Sequence, residues 1–428
     1  MSLNLNRRHI LMGGSALLAS SQFAWPAFAQ DTSLRMIFWG GQDRANRTFD
    51  VADAYEQQTD MRIEGEFMAF ADYWAKLATL TAGGNAPDVV QMDGAGRYVA
   101  DYARRGAITP LDEFIGDALK LDDFDQDQLD AGKVDGKLYA ISLGANASCL
   151  VVNQTAFEEA GIDIPGPLTT YDDLRAMSAS IKSVNPDMRL ISDSSGHWAV
   201  LEHWLHQRNK TLYTADGGLG FDVADAVDWY TLWAGLRADE VCLSAEDQAT
   251  QTGIETSNLI TRKVAMSNEF SNLLVAFQGV TKDRLALTNL PRIATDAPPG
   301  HYRRASMFFS VSGTSAAKEE AARFISYFVN DHEANKVLGA ERGIPCSASV
   351  RDALAPELDE QSRMALEYVG GLGPLLGPAP PLAPAGGGEI NEALLSSVGQ
   401  EVAFGVRSPE DGGQYLIDAA TDILSRAG

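Results

Sequence analysis

The run Leu34-Arg35-Met36-Ile37-Phe38-Trp39-Gly40-Gly41-Gln42-Asp43-Arg44 sets an apolar, strand-like segment directly before a tryptophan, two glycines and a charged pair. The next fifty residues give that segment its context. Ala45 to Gln58 carries a helical stripe through Phe49, Ala52 and Tyr55, and Met61 to Phe67 alternates as a short strand. Ala71 to Leu80 is helical again, Gly83-Gly84-Asn85-Ala86-Pro87 stops it, and Asp88 to Asp93 is an apolar strand ending in a carboxylate. Strand, helix, strand, helix and strand in about sixty residues predict an α/β fold with a mostly parallel sheet covered by helices. In such sheets ligands gather beyond the strand C-termini. Trp39, Gly40, Gly41, Asp43, Arg44 and Asp93 are therefore candidate site residues, with Trp39 as an aromatic plate that the two glycines leave uncovered.

Upstream of this run, residues 1–29 join the arginine pair Arg7-Arg8 to an apolar, small-residue segment and end in Ala27-Phe28-Ala29. That is the layout of an export signal, with the arginine pair resembling the twin-arginine type. Cleavage after Ala29 leaves 399 residues, and no later run approaches the length of a membrane span. A chain of that size predicts two lobes. The formal charge is -24, from 58 acidic against 34 basic residues, and becomes -26 without Arg7 and Arg8. Such a surface repels nucleic-acid phosphates and anionic lipid, so neither nucleic acid nor membrane insertion is expected. Cys149, Cys242 and Cys346 are widely spaced, with neither CxxC nor clustered histidines, and read as buried small hydrophobes with room for at most one disulfide.

Further along, residues 133–152 read as an Asp-Gly hairpin followed by extended chain, where the path is expected to cross between lobes. Gln154 to Ala160, a segment capped by Thr170, and stretches near 199–207 and 223–236 read as helices. Lys263 to Phe270 and Ala305 to Val311 read as strands, and Lys318 to Val329 as a helix. Gly370 to Gly388, dense in proline and glycine, reads as a surface strap without catalytic chemistry, and two closing helices come after it.

Catalytic signatures do not emerge. The six histidines form neither HExxH nor a cluster, the glycine-rich pieces lack a phosphate-loop lysine, and no GxSxG occurs. A binding protein without metal or cofactor is the expectation. Of the seven tryptophans, Trp39 and Trp198 are candidate ligand plates, whereas Trp229 and Trp233, four apart on a helix, read as core. Aromatic faces beside Asp, Asn, Glu and Arg suit a polyhydroxylated ring, whose C–H faces stack and whose hydroxyls take charge-assisted bonds.

Phe38-Trp39-Gly40-Gly41, the stretch from Tyr73 through Ala86-Pro87-Asp88-Val89 to Asp93, Gly136 to Ile141, Val152 to Gly161, Gly313-Thr314-Ser315 and Glu341-Arg342-Gly343-Ile344-Pro345 occur in that order. Together they resemble the extracellular solute-binding proteins of ATP-driven (ABC-type) carbohydrate importers, the group that includes maltose- and glycerol-phosphate-binding proteins. The resemblance implies a two-lobed periplasmic binding protein fold of the maltose-binding type, hinged, with a carbohydrate held in the cleft. It further implies a monomeric periplasmic protein that presents its cargo to a membrane permease. By that analogy one lobe holds 31–141 and 306–345, and the other 142–305 and 346–428. The carried-over contacts are Trp39, Gly40, Gly41, Asp43, Arg44 and Asp93 from the first lobe, and Asn146 in the crossover. Asn268, Glu269 and Phe270 stand in a second-lobe turn where tryptophan is more usual than phenylalanine. Trp198 joins them on its polar loop, and Arg342 either faces the cleft or pairs near the hinge. The alternatives are a secreted glycan-active hydrolase, or a binding protein for a polyol, amino acid or polyamine.

Overall fold

β1 (Ser33–Trp39) is buried along most of its length and pairs in parallel with β2 (Arg62–Met68) on one side and β3 (Val89–Asp93) on the other. The helices Gln42–Thr59 and Phe70–Ala82 make the two crossovers. The computed structural model describes residues 33–94, 97–249, 254–381 and 383–427, so the expected leader, residues 1–29, lies outside the described residues. A hairpin of β4 (Lys133–Val134) and β5 (Lys137–Leu138) turns through Asp135 and Gly136, both at positive φ, as an Asp-Gly turn requires. After β6 (Ile141–Ser142) and β7 (Ala145–Asn146) the chain enters β8 (Ser148–Asn153).

β8 belongs to a second sheet, with β9 (Arg189–Ile191), β10 (Val264–Phe270) and β11 (Leu285–Thr288) in the order β11-β8-β10-β9. The chain returns through β12 (Arg304–Ala305), which pairs antiparallel with β7, and enters β13 (Met307–Val311). β13 lies between β3 and β6, antiparallel to both. The first sheet, β2-β1-β3-β13-β6, is therefore mixed rather than mostly parallel, because its late strand arrives from the opposite direction through the crossover. A third connecting segment runs beside β7, where Ala145 and Ile344 exchange backbone hydrogen bonds of 2.7 and 2.9 Å.

Each sheet has its own apolar core. The first gathers Leu34, Met36, Ile37, Phe38, Phe308 and Phe309 with the helix Lys318–Asn330. The second is built on Trp204 and on Trp229, Tyr230 and Trp233 of the helix at 223–238, with helices at 171–184 and 409–427 contributing to the same core. Trp229 and Trp233 meet edge to face at 5.6 Å, in the core as their spacing predicts. The caps at Thr170 and Asp222 are full capping boxes, each closed by an aspartate three residues on. The helix Glu360–Gly371 wedges between the two halves: Ala365, Leu366 and Val369 join the first core, while Met364 and Tyr368 lie against a smaller cluster around Cys149 and Val151. Cys149, Cys242 and Cys346 are buried and unbridged. Among the described residues no helix is long and apolar enough to cross a membrane.

Candidate functional site

A cavity of about 420 Å³ opens where the end of β3, the crossover strand β12 and the helix Trp198–His206 converge. Its size is that of a small-molecule site. Gly94 brings the first sheet to it. A Cβ on Gly94 would stand 2.1 Å from the Ala305 carbonyl, so only glycine lets β12 lie this close. From the second half come Trp198 and Glu202, one helical turn apart and so on the same face, with Tyr213 and Asn391. The crossover supplies Tyr302, Arg303 and Arg304, and Ala379 to Pro381 with Ala383 form an apolar wall. The proline-rich strap thus borders the cavity rather than merely crossing the surface.

The polar side chains are held in defined ways. Tyr302 donates its hydroxyl to Glu202, and Tyr213 donates to Asn391 Oδ1 at 2.7 Å. Burial raises the Glu202 carboxyl to about 7, against the opposing pull of the Tyr302 hydroxyl and Arg304. Arg303 is fully occupied, with Nη1 2.9 Å from Asp125 and Nε 2.9 Å from Asp127. The Arg304 guanidinium lies 5.0 Å from the Trp198 ring centre and 5.8 Å from that of Phe270. Those two rings are 6.2 Å apart.

Several residues singled out from the sequence stand elsewhere. Trp39 is only 9 % exposed and is wedged among Phe70, Tyr73 and Trp74, at ring separations of 5.4, 4.9 and 5.6 Å. It is a wall of the first core and not a bare plate, because the helix Phe70–Ala82 supplies the cover that the glycines do not. Gly40 serves Arg44: a Cβ there would meet Arg44 Cδ at 2.4 Å, and the room lets Arg44 Nη1 donate to the Trp39 carbonyl at 3.2 Å. Gly41 is the exposed residue that opens the helix Gln42–Thr59. Asp43 is exposed and pairs with Arg47 at 2.9 Å. Arg44 Nε donates to both Glu341 oxygens, at 2.8 and 3.0 Å. Arg342 is buried, donates to Thr48 Oγ1 at 2.8 Å and lies 5.8 and 5.3 Å from the Phe38 and Phe328 ring centres. Burial and the neighbouring Arg44 push it down to about 9, so it is still charged at neutral pH. Of its two readings, the structural one fits. Replacing Glu341 with alanine should cost about 1–2 kcal/mol of stability, because Arg44 then loses a charge-assisted pair. Urea unfolding checks this, and unchanged stability would contradict the role given to the pair.

Of the remaining candidates one reaches the cavity wall. Trp198 lines the cavity, and Asp93 immediately precedes Gly94, its Oδ1 accepting the Tyr98 amide at 3.4 Å. Asn146 pairs through its backbone with Arg304. Phe270 shares Arg304 with Trp198. Asn268 is buried and donates to Ser194 Oγ, while burial raises Glu269 to about 7 and Ser267 donates to its carboxylate at 2.9 Å. Sequence reasoning missed Glu202, Tyr213, Tyr302, Arg303, Arg304 and Asn391. The one signal available was His301-Tyr302-Arg303-Arg304, a polar cluster directly before an apolar strand.

The family model of bacterial extracellular solute-binding proteins matches residues 50–365. A protein of Brucella abortus named as a binding protein is 34% identical over 215 residues, 48% of each chain. The chain thus spans about half the length of the curated relatives it matches. The solved structure of an extracellular solute-binding protein of family 1 from Alicyclobacillus acidocaldarius is similar with a TM-score of 0.81 at 26% identity, covering 92% of this chain and 98% of that one. A periplasmic oligogalacturonide-binding protein from Yersinia enterocolitica has the same fold, with a TM-score of 0.78 at 19% identity and coverage of 92% and 99%. With the matched region running from the helix after β1, through both sheets and the crossover, to the helix that wedges between the cores, the chain belongs to the family of bacterial extracellular solute-binding proteins.

Proposed function

We propose that the protein is the periplasmic substrate-binding component of an ATP-driven importer, and that it holds a carbohydrate in the cavity between its two halves and delivers it to a membrane permease. The observation that carries this reading is the cavity wall itself, in which Trp198, Tyr213 and Tyr302 offer ring surface beside the polar groups of Glu202, Arg304 and Asn391. Ring surface suits the C–H faces of a sugar, and polar groups of fixed orientation suit its hydroxyls. The sugar-binding neighbour from Yersinia enterocolitica, alike in fold, supports the same cargo class.

The lobes in this reading are 31–141 with 306–345 and 142–305 with 346–428, hinged at the crossover. The protein changes no bond. A ligand that touches both halves stabilises the closed form, and only that differential affinity moves the equilibrium.

The test is a thermal-shift screen of the protein against neutral sugars, sugar acids, polyols, amino acids and polyamines. A ligand that binds only the folded state raises the melting temperature. A rise with sugars alone is expected, whereas a rise confined to amino acids or polyamines would replace the carbohydrate reading, and release of reducing ends from an oligosaccharide would mark a hydrolase. Replacing Trp198 with alanine should weaken sugar binding about tenfold by removing a stacking face. Calorimetry measures it, and unchanged affinity would remove Trp198 from the site.

A further inference from the structure

Nearly every charge around the cavity has a partner. Arg303 is bonded to Asp125 and Asp127, Lys133 lies 2.8 Å from Asp130, and Glu202 accepts the Tyr302 hydroxyl. Arg304 is the exception. It lines the cavity half-buried, yet among the described residues its guanidinium has neither a hydrogen-bond acceptor nor a carboxylate in ion-pair contact.

What holds Arg304 is aromatic. Trp198 and Phe270 attract the cation through their ring faces, and this leaves the N–H donors of the guanidinium uncommitted. An arginine fixed in this way has its fork set for a planar or tetrahedral acid group, and less side-chain freedom remains to be lost on binding. Glu202 does not cancel it. The two interact electrostatically without forming an ion pair, and burial keeps the carboxyl partly protonated at neutral pH. The strap residues Ala379 to Pro381 add no charged group.

We propose that the cargo is an acidic sugar, a carbohydrate bearing one carboxylate or sulfonate group, and that Arg304 is the counter-ion for that group, held in place by Trp198 and Phe270. This rests on the carbohydrate reading above.

Matched pairs of sugars test it: galacturonic acid with galactose, glucuronic acid with glucose, their disaccharides, and a 6-sulfonated glucose. The acidic member should bind the wild-type protein about ten- to a hundredfold more tightly than its neutral twin, the scale of charge-assisted hydrogen bonds. Arg304→Gln should weaken the acidic sugar about tenfold or more beyond whatever it costs the neutral twin, so that the preference disappears, while Arg304→Lys should retain part of it. A preference confined to the sulfonated sugar supports the proposal and names the acid. Neutral sugars binding as well as acidic ones would overturn it while leaving the carbohydrate reading intact, and so would an equal loss for both members in Arg304→Gln. Binding only of non-sugar solutes would overturn both. Should Arg304→Gln not fold, the wild-type comparison of matched pairs decides by itself.

Discussion

Replacing Trp39 with alanine should lower the free energy of unfolding by about 3–5 kcal/mol, the range for truncating a large buried aromatic. The indole is held by three rings at once, Phe70, Tyr73 and Trp74, none more than 5.6 Å away. Truncation leaves a void at the end of β1 that Tyr73 cannot collapse into. Its hydroxyl is bonded to the Gln91 carbonyl at 2.6 Å, which fixes the ring beneath the sheet. Trp74 is likewise held, stacked on Tyr98 at 3.7 Å. Denaturant titration gives the stability and calorimetry on the folded protein gives the affinity. The expected pattern is a large stability loss with ligand affinity within about twofold of wild type, because no atom of Trp39 borders the cavity. A loss below about 1 kcal/mol together with weakened binding would return Trp39 to the site.

That outcome bears on what the sequence made legible. Apolar periodicity and turn residues placed β1, β2, β3 and the two helices between them, because those signals are local: alternation, a helical stripe, a Gly-Asn-Ala-Pro stop. The antiparallel course of β13 was not legible, since its partner β3 lies some two hundred residues away in sequence. The site divides along the same line. Trp198 was legible as an aromatic following a polar loop. Trp39 looked alike in sequence, but its cover comes from Phe70 and Tyr73 across the β2 crossover, a contact no local pattern records. Arg44 and Arg342 could be read from the sequence either as ligand contacts or as partners of Asp43 or Glu341, and only the fold shows that Glu341 and Thr48, nearly three hundred residues distant in sequence, engage them. Arg304 went unnoticed for the converse reason. Its neighbour Arg303 shares its chemistry, and only the fold reveals that one is saturated by aspartates while the other rests on rings.

The contrast between wild type and Glu202→Gln should depend strongly on pH. Burial raises the Glu202 carboxyl to about 7 from an ordinary value near 4.5. A group whose pKa is raised by folding lends stability that is fully present below its unfolded value and is lost as pH rises through its folded value. Between pH 4.5 and 7 the wild-type protein therefore loses about 3 kcal/mol that glutamine, neutral throughout and able to accept the same Tyr302 hydroxyl, does not lose. The two proteins should melt together near pH 4.5 and separate as pH rises, with the variant about 3 kcal/mol more stable at pH 8. His203 and His301, whose rings lie 4.4 Å apart, are pushed down by burial and act in the opposite sense, weakening both proteins as pH falls below about 6.5. They are present in both chains, so the difference between the curves isolates Glu202. The charge that appears on Glu202 above pH 7 also stands beside Arg304, where it competes with an acidic ligand. Affinity for a sugar acid should therefore fall as pH rises through about 7 in the wild-type protein and hold steady in Glu202→Gln. Melting and binding curves that stay parallel from pH 4.5 to 8 would show that Glu202 is already ionised at the bottom of that range, and with it would go the electrostatic account of this wall of the cavity.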